Sequence, residues 1–310
     1  MGHYVVTGAA GFIGSHLVDA LLAAGHSVRG LDDLSTGRLQ NLDPRCALIR
    51  GDVADPHVVG EAMRGADGCF HLAAIASVAR TNEDWLGTHA TNLTGTITVL
   101  DAARRLGGVP VVYASSAAVY GDLGPNRASE DARTVPLTAY GADKLGCELH
   151  AGIAWTVHGV PSFGLRFFNV YGPRQLPNSP YSGVISIFSQ RISQGTAVTI
   201  HGDGQQRRDF VHVADVTAHL MGAMRRLRAR AGAGVVNVCT GQGTSVIELL
   251  HLIAATHERV PRLVYGPARA GDIRHSVGNP TLATNVLGIA AGLSLAQGLG
   301  HLARVERAAA

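Results

Sequence analysis

The first stretch of the chain combines a short strand, three glycines and a helix. Residues His3–Thr7 (HYVVT) predict a strand, Gly8, Gly11 and Gly14 follow in TGAAGFIGSH, and residues 13–22 repeat apolar side chains at helical spacing. Glycine lets the turn close, lets backbone approach a pyrophosphate and lets the helix pack on the strand. The first N–H groups of that helix can bind the anion. This stretch therefore predicts the start of a dinucleotide-binding α/β fold.

Two acidic residues follow the second predicted strand. Ser27–Leu31 is the strand, and Asp32 and Asp33 stand at its end. A carboxylate at about this distance beyond the glycines is typical of a site that binds a ribose diol. No arginine follows immediately to receive a 2′-phosphate, although Arg38 lies nearby. The pattern favours NAD over NADP.

Strands and helices alternate through the first half of the chain. The further predicted strands are Ala47–Arg50, Gly68–Leu72 and Val109–Ala114, and the helices are Pro56–Met63 and Thr91–Leu106. This alternation predicts a Rossmann-like, doubly wound parallel sheet of the α/β class. Ligands of such sheets bind beyond the carboxyl ends of the strands. The residues that follow the strands are Asp52 and Val53, Ala73 and Ala74, and Ser115 and Ser116.

Lys144 is the only lysine in a chain with 26 basic residues, and it ends the segment AYGADK. A chain that uses arginine everywhere else has a use here for a compact ammonium that a planar guanidinium cannot replace. The apolar spacing that follows predicts a helix, in which Tyr140 and Lys144 share one face. A nearby cation favours the phenolate, which makes Tyr140 a candidate general base.

Composition excludes several classes of protein. The 310 residues are 46% hydrophobic and 16% charged, which is typical of one large or two modest globular domains. No apolar run reaches the roughly 18 to 20 residues of a membrane span, and the first residues enter a strand, so we expect a cytoplasmic protein. The net charge of +3, with one arginine cluster at 225–230, argues against nucleic-acid binding. The four cysteines have no CxxC pair, which predicts no metal site.

Eight motifs along the chain resemble those of one family. They are TGAAGFIGSH, DDLSTG, GDVAD, HLAA, YASSAAVYG, YxxxK, GLRFFNVYGPRQ and RDFVHVADV. Together they resemble the extended short-chain dehydrogenase/reductases of the NAD-dependent epimerase/dehydratase family, and specifically the UDP-glucose 4-epimerase-like enzymes. The resemblance covers nearly the whole chain. It implies NAD-dependent 4-epimerisation of a UDP-hexose by transient oxidation at C4, rotation of the 4-keto sugar and hydride return.

The resemblance also implies a domain organisation. Residues 1–172 would form the NAD-binding Rossmann domain, and residues 173–310 a smaller α/β domain that binds the nucleotide sugar. The prolines and serines after residue 172 place the boundary there, and residues 208–220 are expected to return to the first domain. The helices Thr91–Leu106 and Tyr140–His158 would pair with those of a second copy in a homodimer.

Matching the motifs position by position implies the residues of the site. Tyr140 would take the proton of the sugar 4-hydroxyl, Lys144 would hold the nicotinamide ribose, and Ser116 would align the hydroxyl. The implied cofactor-binding residues are Gly8, Gly11, Phe12, Ile13, Gly14, Asp32, Asp33, Leu34, Ser35, Thr36, Gly37, Asp52, Val53, Leu72, Ala73, Ala74, Asn92, Tyr140, Lys144 and Phe168. The implied substrate-binding residues are Ser77, Ser116, Tyr140, Asn169, Arg174, Thr199, His201, Arg208, Arg269, Asp272 and Ser276.

Within that second set the resemblance implies separate contacts. Arg208 and Arg269 would grip the diphosphate, because guanidinium groups bind phosphates with paired hydrogen bonds. Asp272 would bind the uridine ribose, while Thr199 and His201 would lie against the base.

Four positions separate the reactions and substrates of the family. Sugar-nucleotide 4,6-dehydratases have an Asp-Glu or Ser-Glu pair where this chain has Ala117 and Ala118, and alanine cannot transfer a proton. Ser276 stands where epimerases restricted to plain hexoses have a tyrosine, so we expect UDP-GlcNAc and UDP-GalNAc to be accepted as well. Arg174 could instead bind a carboxylate, which keeps a UDP-glucuronate 4-epimerase as the alternative. A nucleotide-binding sensor and a carbonyl reductase are the remaining alternatives from other classes.

Overall fold

A parallel sheet forms the centre of the protein. The computed structural model describes residues 1–76, 78–175, 183–268 and 273–309. Within these ranges the strands are β1 (His3–Thr7), β2 (Ser27–Asp32), β3 (Ala47–Arg50), β4 (Gly68–His71), β5 (Val111–Ser116), β6 (Ser162–Phe167), β7 (Asn169–Tyr171), β8 (Val198–His201), β9 (Arg207–His212), β10 (Ala233–Val238), β11 (Gly243–Ser245), β12 (Leu263–Gly266) and β13 (His275–Ser276). Seven of these described strands form the sheet, in the order β10-β6-β5-β4-β1-β2-β3.

The helices of the described residues are α1 (Phe12–Ala23), α2 (Pro56–Met63), α3 (Val78–Glu83), α4 (Trp85–His89), α5 (Gly95–Arg105), α6 (Ala139–His158), α7 (Val184–Ser193), α8 (Val213–Ala229), α9 (Val246–Thr256), α10 (Thr281–Leu287) and α11 (Leu295–Ala309). Helices α1 and α8 pack on one face of this sheet, and α2, α5 and α6 pack on the other. No helix within the described ranges combines the length and the apolar character that a bilayer crossing needs.

The sheet is parallel throughout, and the helices that connect its strands bury both of its faces. Every residue of β4 and of β6 is buried, so these strands do not alternate between apolar and polar residues, and their two large polar side chains, His71 and Arg166, are buried as well. One core, with Leu17 of α1 and Leu220 of α8, lies on one face, and a second, with Val99 of α5 and Ala151 of α6, lies on the other. The predicted doubly wound parallel α/β fold is confirmed.

The predicted helix Thr91–Leu106 is present, but its first turn is not α-helical. Residues Ala90–Thr94 form a π-helical segment that follows α4 and leads into α5. The extra residue of a π turn shifts the side chains that follow, and such segments are frequent at functional sites. Apolar spacing alone does not show this shift.

The predicted second domain includes residues 221–238. In the structure, β10 pairs in parallel with β6 at the end of the large sheet. Val236 and Val238 are fully buried there. Helix α8 leads into this strand and packs on α1, with Leu220 and Met224 in the same core as Leu17. The segment that lies with the first sheet therefore runs through β10.

A smaller layer is built from the second half of the chain. Strand β9 pairs with β7 and β13 in parallel and with β11 in the antiparallel direction, while β8 and β12 form a separate pair. Helices α7, α9 and α11 cover these strands, and their core includes Phe188, Leu249 and Leu299. Since β7 follows β6 directly, the smaller layer lies next to the carboxyl end of the large sheet.

Helix α6 carries apolar side chains on its outer face. Leu149, Ile153 and Val157 are 62%, 51% and 67% exposed. This is one of the two helices through which the homodimer was expected, and the homodimer stays a prediction.

The docking of α11 depends on a glycine. A Cβ on Gly298 would lie 2.0 Å from the Tyr171 hydroxyl oxygen, and Tyr171 is 1% exposed. We expect Gly298→Ala to lower the free energy of unfolding by about 1 to 3 kcal/mol, because overpacking displaces buried groups. Chemical denaturation measures the change.

Gly300 on the same helix is the matched control. Its Cβ would meet only the end of the Arg304 side chain, at 3.9 Å. Gly300→Ala should raise stability by up to about 1 kcal/mol through helix propensity. Equal effects of the two substitutions would contradict the packing argument.

Candidate functional site

The glycine turn after β1 is packed too closely for any other side chain. Gly8 has a φ of +67°, and its N–H donates to the carbonyl of Leu31 at 2.8 Å. A Cβ on Gly14 would lie 2.0 Å from the carbonyl oxygen of Gly8. Helix α1 begins here with no side chain capping its N-terminus, so its first N–H groups point towards the cavity without an intrahelical acceptor. This arrangement suits a bound pyrophosphate.

Asp32 closes the turn from the end of β2. Its carboxylate accepts hydrogen bonds from the backbone N–H groups of Ala10, at 2.9 Å, and Leu34, at 2.8 Å. Burial raises the pKa of Asp32, although these two hydrogen bonds act in the opposite direction. A carboxylate has about four acceptor positions, so two remain for ribose hydroxyls. Asp33, beside it, accepts from the N–H and hydroxyl of Ser35.

One cavity of about 450 Å³ extends from the glycine turn to α6. The predicted residues that line it are Gly8, Gly11, Phe12, Ile13, Gly14, Asp32, Asp33, Ser35, Thr36, Asp52, Val53, Leu72, Ala73, Ala74, Ser116, Tyr140, Lys144, Phe168, Asn169 and Arg174. The carboxyl ends of β1, β2, β4, β5 and β6 meet at this edge, as a parallel sheet requires. The volume is in the usual range of a small-molecule site.

Lys144 is held between helix and sheet at one end of this cavity. It is 2% exposed, and its Nζ donates to the carbonyl oxygen of Ala114 at 2.9 Å. The same Nζ lies 5.8 Å from the centre of the Tyr140 ring, one helical turn earlier. The predicted i, i+4 pair is therefore present on α6, with both side chains in the cavity wall.

Ser116 lies at the end of β5, close to the start of α6. Its Oγ accepts from the N–H of Ala118 at 3.1 Å, which leaves the hydroxyl proton for an acceptor in the cavity. A Cβ on Gly141 would lie 2.7 Å from the carbonyl oxygen of Ala118, so α6 and this turn are in direct contact. Thr138 caps α6 by accepting from the N–H of Gly141. Tyr140 is thus presented beside Ser116.

Asn92 does not line the cavity as predicted. It is fully buried in the π-helical segment, where its side-chain oxygen accepts from the N–H of Ile75 at 2.8 Å and its NH₂ donates to the Ile75 carbonyl at 3.1 Å. Because Ile75 does line the cavity, Asn92 shapes the wall from behind. Leu34 and Gly37 also lie behind the lining residues, near Asp32.

His71 is a residue of the site that the sequence reasoning missed. It is buried beneath the cavity floor, with Nδ1 2.8 Å from Thr7 Oγ1 and Nε2 3.0 Å from Thr96 Oγ1. Thr96 donates to the carbonyl of Asn92, so Nε2 of His71 is the donor to Thr96 and Nδ1 accepts from Thr7. Thr7 in turn accepts from the N–H of Ala73 in the cavity wall. The HLAA motif contained this histidine, but its partners lie far away in sequence.

The second half of the chain supplies the other predicted residues. Arg208 lies on β9 opposite Ser276 of β13, and its Nη1 donates to the carbonyl of Arg207 at 2.9 Å. Ser276 lines a small hollow of about 10 Å³ with Phe168, which also lines the main cavity. Thr199 and His201 lie on β8, outside both. The predictions for Ser77, Arg269 and Asp272 fall outside the described residues.

One cavity contains the glycine turn, the carboxylate of Asp32 and the Tyr140–Lys144 pair. Residues 4–239 match the model of the NAD dependent epimerase/dehydratase family. The chain belongs to this family. NAD is its cofactor, and the residues fit it: the turn has no room for a Cβ, and the free N–H groups of α1 and the carboxylate of Asp32 can bind the pyrophosphate and a ribose.

Members of the epimerase/dehydratase family match this chain along almost its whole length. A UDP-glucose 4-epimerase of Mycolicibacterium smegmatis is 39% identical over 303 residues, which is 95% of each chain. The crystal structure of the UDP-glucose 4-epimerase of Thermotoga maritima with UDP-glucose superposes with a TM-score of 0.94 at 33% identity, over 99% of both chains. A UDP-N-acetylglucosamine 4-epimerase of Methanobrevibacter ruminantium superposes with 0.93 at 30% identity, over 100% of this chain and 99% of its own.

The buried His71 predicts a pH dependence of stability. Burial, with a smaller effect of Lys144, lowers its pKa from 6.5 to about 3, so the folded protein holds it neutral. Below pH 6.5 the unfolded chain binds a proton there that the folded protein does not, so the free energy of unfolding falls as the pH falls. For one group the slope is about 1.4 kcal/mol per pH unit.

We expect His71→Gln to reduce that slope by up to this amount, measured by urea denaturation between about pH 4 and pH 6.5. The exposed His57 provides the control, since His57→Gln should leave the slope unchanged. If wild type and His71→Gln had the same slope, the conclusion that folding holds His71 neutral would be wrong.

Proposed function

We propose that the protein is a UDP-sugar 4-epimerase that interconverts UDP-glucose and UDP-galactose and also accepts their N-acetylated counterparts. The observation that carries the proposal is the placement of Tyr140, Lys144 and Ser116 together in the wall of the NAD cavity. The relatives that match the whole chain support the reaction class.

Each residue has a separate part in the reaction. Tyr140 is the general base that takes the proton of the sugar 4-hydroxyl and later returns it. Ser116 donates its free hydroxyl proton to the sugar oxygen and holds it near the tyrosine. Lys144, fixed at the carbonyl of Ala114, places its ammonium 5.8 Å from the centre of the Tyr140 ring, where it can hold the nicotinamide ribose. NAD, when bound, supplies the hydride acceptor and donor for C4.

Elimination of water is disfavoured because the position next to Ser116 has no acid or base. Ala117 and Ala118 occupy the short 3₁₀ turn that Ser116 begins. A dehydratase needs a proton donor and an acceptor at this point, and neither side chain can act as one. The arrangement supports oxidation and re-reduction at C4 without loss of a hydroxyl.

A neutral sugar is favoured over a uronate by an ion pair. Arg174, the candidate carboxylate binder, already donates to Asp19 of α1 at 2.7 Å. It holds an unfavourable φ of +68° in that arrangement. Since its charge is matched by a carboxylate of the protein itself, binding a uronate would require breaking this pair. UDP-glucuronate is therefore the second candidate substrate.

The first test incubates the purified protein, without added cofactor, with UDP-glucose, UDP-GlcNAc and UDP-glucuronate in separate reactions and resolves the products by chromatography. We expect conversion of the first two to their galacto isomers. Tyr140→Phe should lower kcat by at least about 10²-fold, because the general base is lost, while NAD stays bound.

Tyr265→Phe is the matched control, since this tyrosine is 60% exposed on β12. It should keep wild-type turnover. Conversion of UDP-glucuronate alone would replace the proposal with the uronate alternative, and conversion of none would overturn it.

The acceptance of N-acetyl sugars depends on the space at Ser276. This serine and the Phe168 ring line the same hollow, next to the main cavity. A tyrosine there would fill the space, so Ser276→Tyr should lower the turnover of UDP-GlcNAc at least about tenfold and leave UDP-glucose turnover largely unchanged. Ser276→Ala keeps the space and should keep both activities. Full N-acetyl turnover in Ser276→Tyr would refute this specificity assignment.

A further inference from the structure

The face of α6 that carries Tyr140 and Lys144 continues into a third polar residue. Glu148 follows Lys144 by four positions, so the three side chains lie along one side of the helix. Tyr140 and Lys144 line the cavity, but Glu148 does not. Its side chain is 8% exposed and lies deeper, between the helix and the sheet.

Both carboxylate oxygens of Glu148 are bound to the sheet. Arg166 of β6 donates to Oε1 from Nε at 2.8 Å and to Oε2 from Nη2 at 2.7 Å. The hydroxyl of Ser115 donates to Oε1 as well. Such a paired guanidinium–carboxylate contact fixes orientation as well as distance, and a lysine could not form it. Burial alone would lower the pKa of Arg166, but the hydrogen bonds and charge of Glu148 outweigh it and raise that pKa above its ordinary value.

Two successive residues of β5 are therefore tied to successive turns of α6. Ala114 accepts from Lys144 through its carbonyl, and Ser115 donates to Glu148 through its hydroxyl. Ser116 is the next residue of the strand. The Lys144–Ala114 and Glu148–Ser115 hydrogen bonds therefore determine where Ser116 lies relative to Tyr140 of the same helix.

Arg166 also contacts Tyr120, whose ring lies beside the cavity residue Phe168. Its Nη1 donates to the Tyr120 hydroxyl at 2.9 Å, and its guanidinium lies 4.8 Å from the centre of that ring. The Tyr120 hydroxyl donates to Asn237 of β10 at 2.7 Å. The Tyr120 ring packs beside Phe168, with ring centres 6.4 Å apart. One buried arginine thus connects the helix of the Tyr–Lys pair to the aromatic side of the cavity.

We propose that Glu148 and Arg166 are positioning residues of the epimerisation, which hold Tyr140 and Lys144 in register with Ser116. The inference deepens the proposed function and depends on it. Neither residue touches the cavity, so their effect on the reaction passes through α6 and β5. Displacement of a general base by about 1 Å lowers rates by about 10²-fold.

Single and double substitutions test the proposal. Arg166→Lys keeps the charge and loses the paired contact, and Glu148→Gln keeps the shape and loses the charge. We expect each substitution to lower kcat about 10- to 100-fold and to change KM less than about twofold. In a single turnover, the reduction of bound NAD should slow by the same factor as kcat. If the pair had only a structural role, the substitutions would lower the amount of folded protein, and the kcat of the folded fraction would stay at the wild-type value.

The double variant Glu148→Leu/Arg166→Met keeps the test valid if the single variants fail to fold. Apolar residues of similar volume often replace a buried ion pair without loss of stability. This variant should bind NAD and remain slow, and its crystal structure should show the Lys144 Nζ to Ala114 oxygen contact lengthened. Met63→Ala, buried on α2 away from the cavity, is the control that lowers stability and keeps kcat.

A folded variant with wild-type kcat and an unchanged Lys144–Ala114 contact would overturn the positioning role. If the wild-type protein converts no UDP-sugar, the proposed function fails instead. The distance from Lys144 Nζ to the Ala114 oxygen in the crystal structure of the double variant then still decides whether Glu148 and Arg166 position α6.

Discussion

The site depends on the hydrogen bond between the ammonium of Lys144 and the carbonyl oxygen of Ala114. This contact joins α6 to β5 at the point where the cavity begins, and it uses one of the three protons of the ammonium. The other two remain for a ligand in the cavity, next to the Tyr140 ring. A guanidinium is planar and presents its donors in a fixed fork, so it would not reproduce the contact of this compact ammonium. The single lysine of the chain is explained by this requirement.

The parallel sheet supplies the rest of the site because it ends all its strands at one edge. Asp32, His71 and Ser116 each end a strand, and all three lie at or directly beneath the same cavity. Their local environments differ, since Asp32 faces N–H groups of the glycine turn while His71 is enclosed by two threonine hydroxyls. The same edge therefore brings together a carboxylate that can bind a ribose, a buried neutral imidazole and a hydroxyl in the cavity wall.

The features that could be predicted from the sequence are those whose partners lie close along the chain. The glycine turn spans seven residues and the Tyr–Lys pair spans one helical turn, so spacing alone indicates their geometry. The Asp19–Arg174 ion pair joins residues 155 positions apart, and no local pattern indicates it. Strand β10 has an ordinary apolar strand pattern, and only its pairing with β6 shows which sheet it joins. The resemblance of motifs implies that Asn92 is a cofactor contact, whereas in the π-helical segment its amide binds the backbone of Ile75.

The central claim is that C4 of the sugar loses a hydride and receives the same hydride back on its other face. The most direct measurement converts UDP-glucose that carries deuterium at C4, in ordinary water, and analyses the galacto product by mass spectrometry and NMR. We expect the product to keep the deuterium at C4, because Tyr140 moves only the hydroxyl proton and a hydrogen carried as hydride on the nicotinamide does not exchange with water. Loss of the label to water would contradict it and would require a reaction in which the C4 hydrogen leaves as a proton.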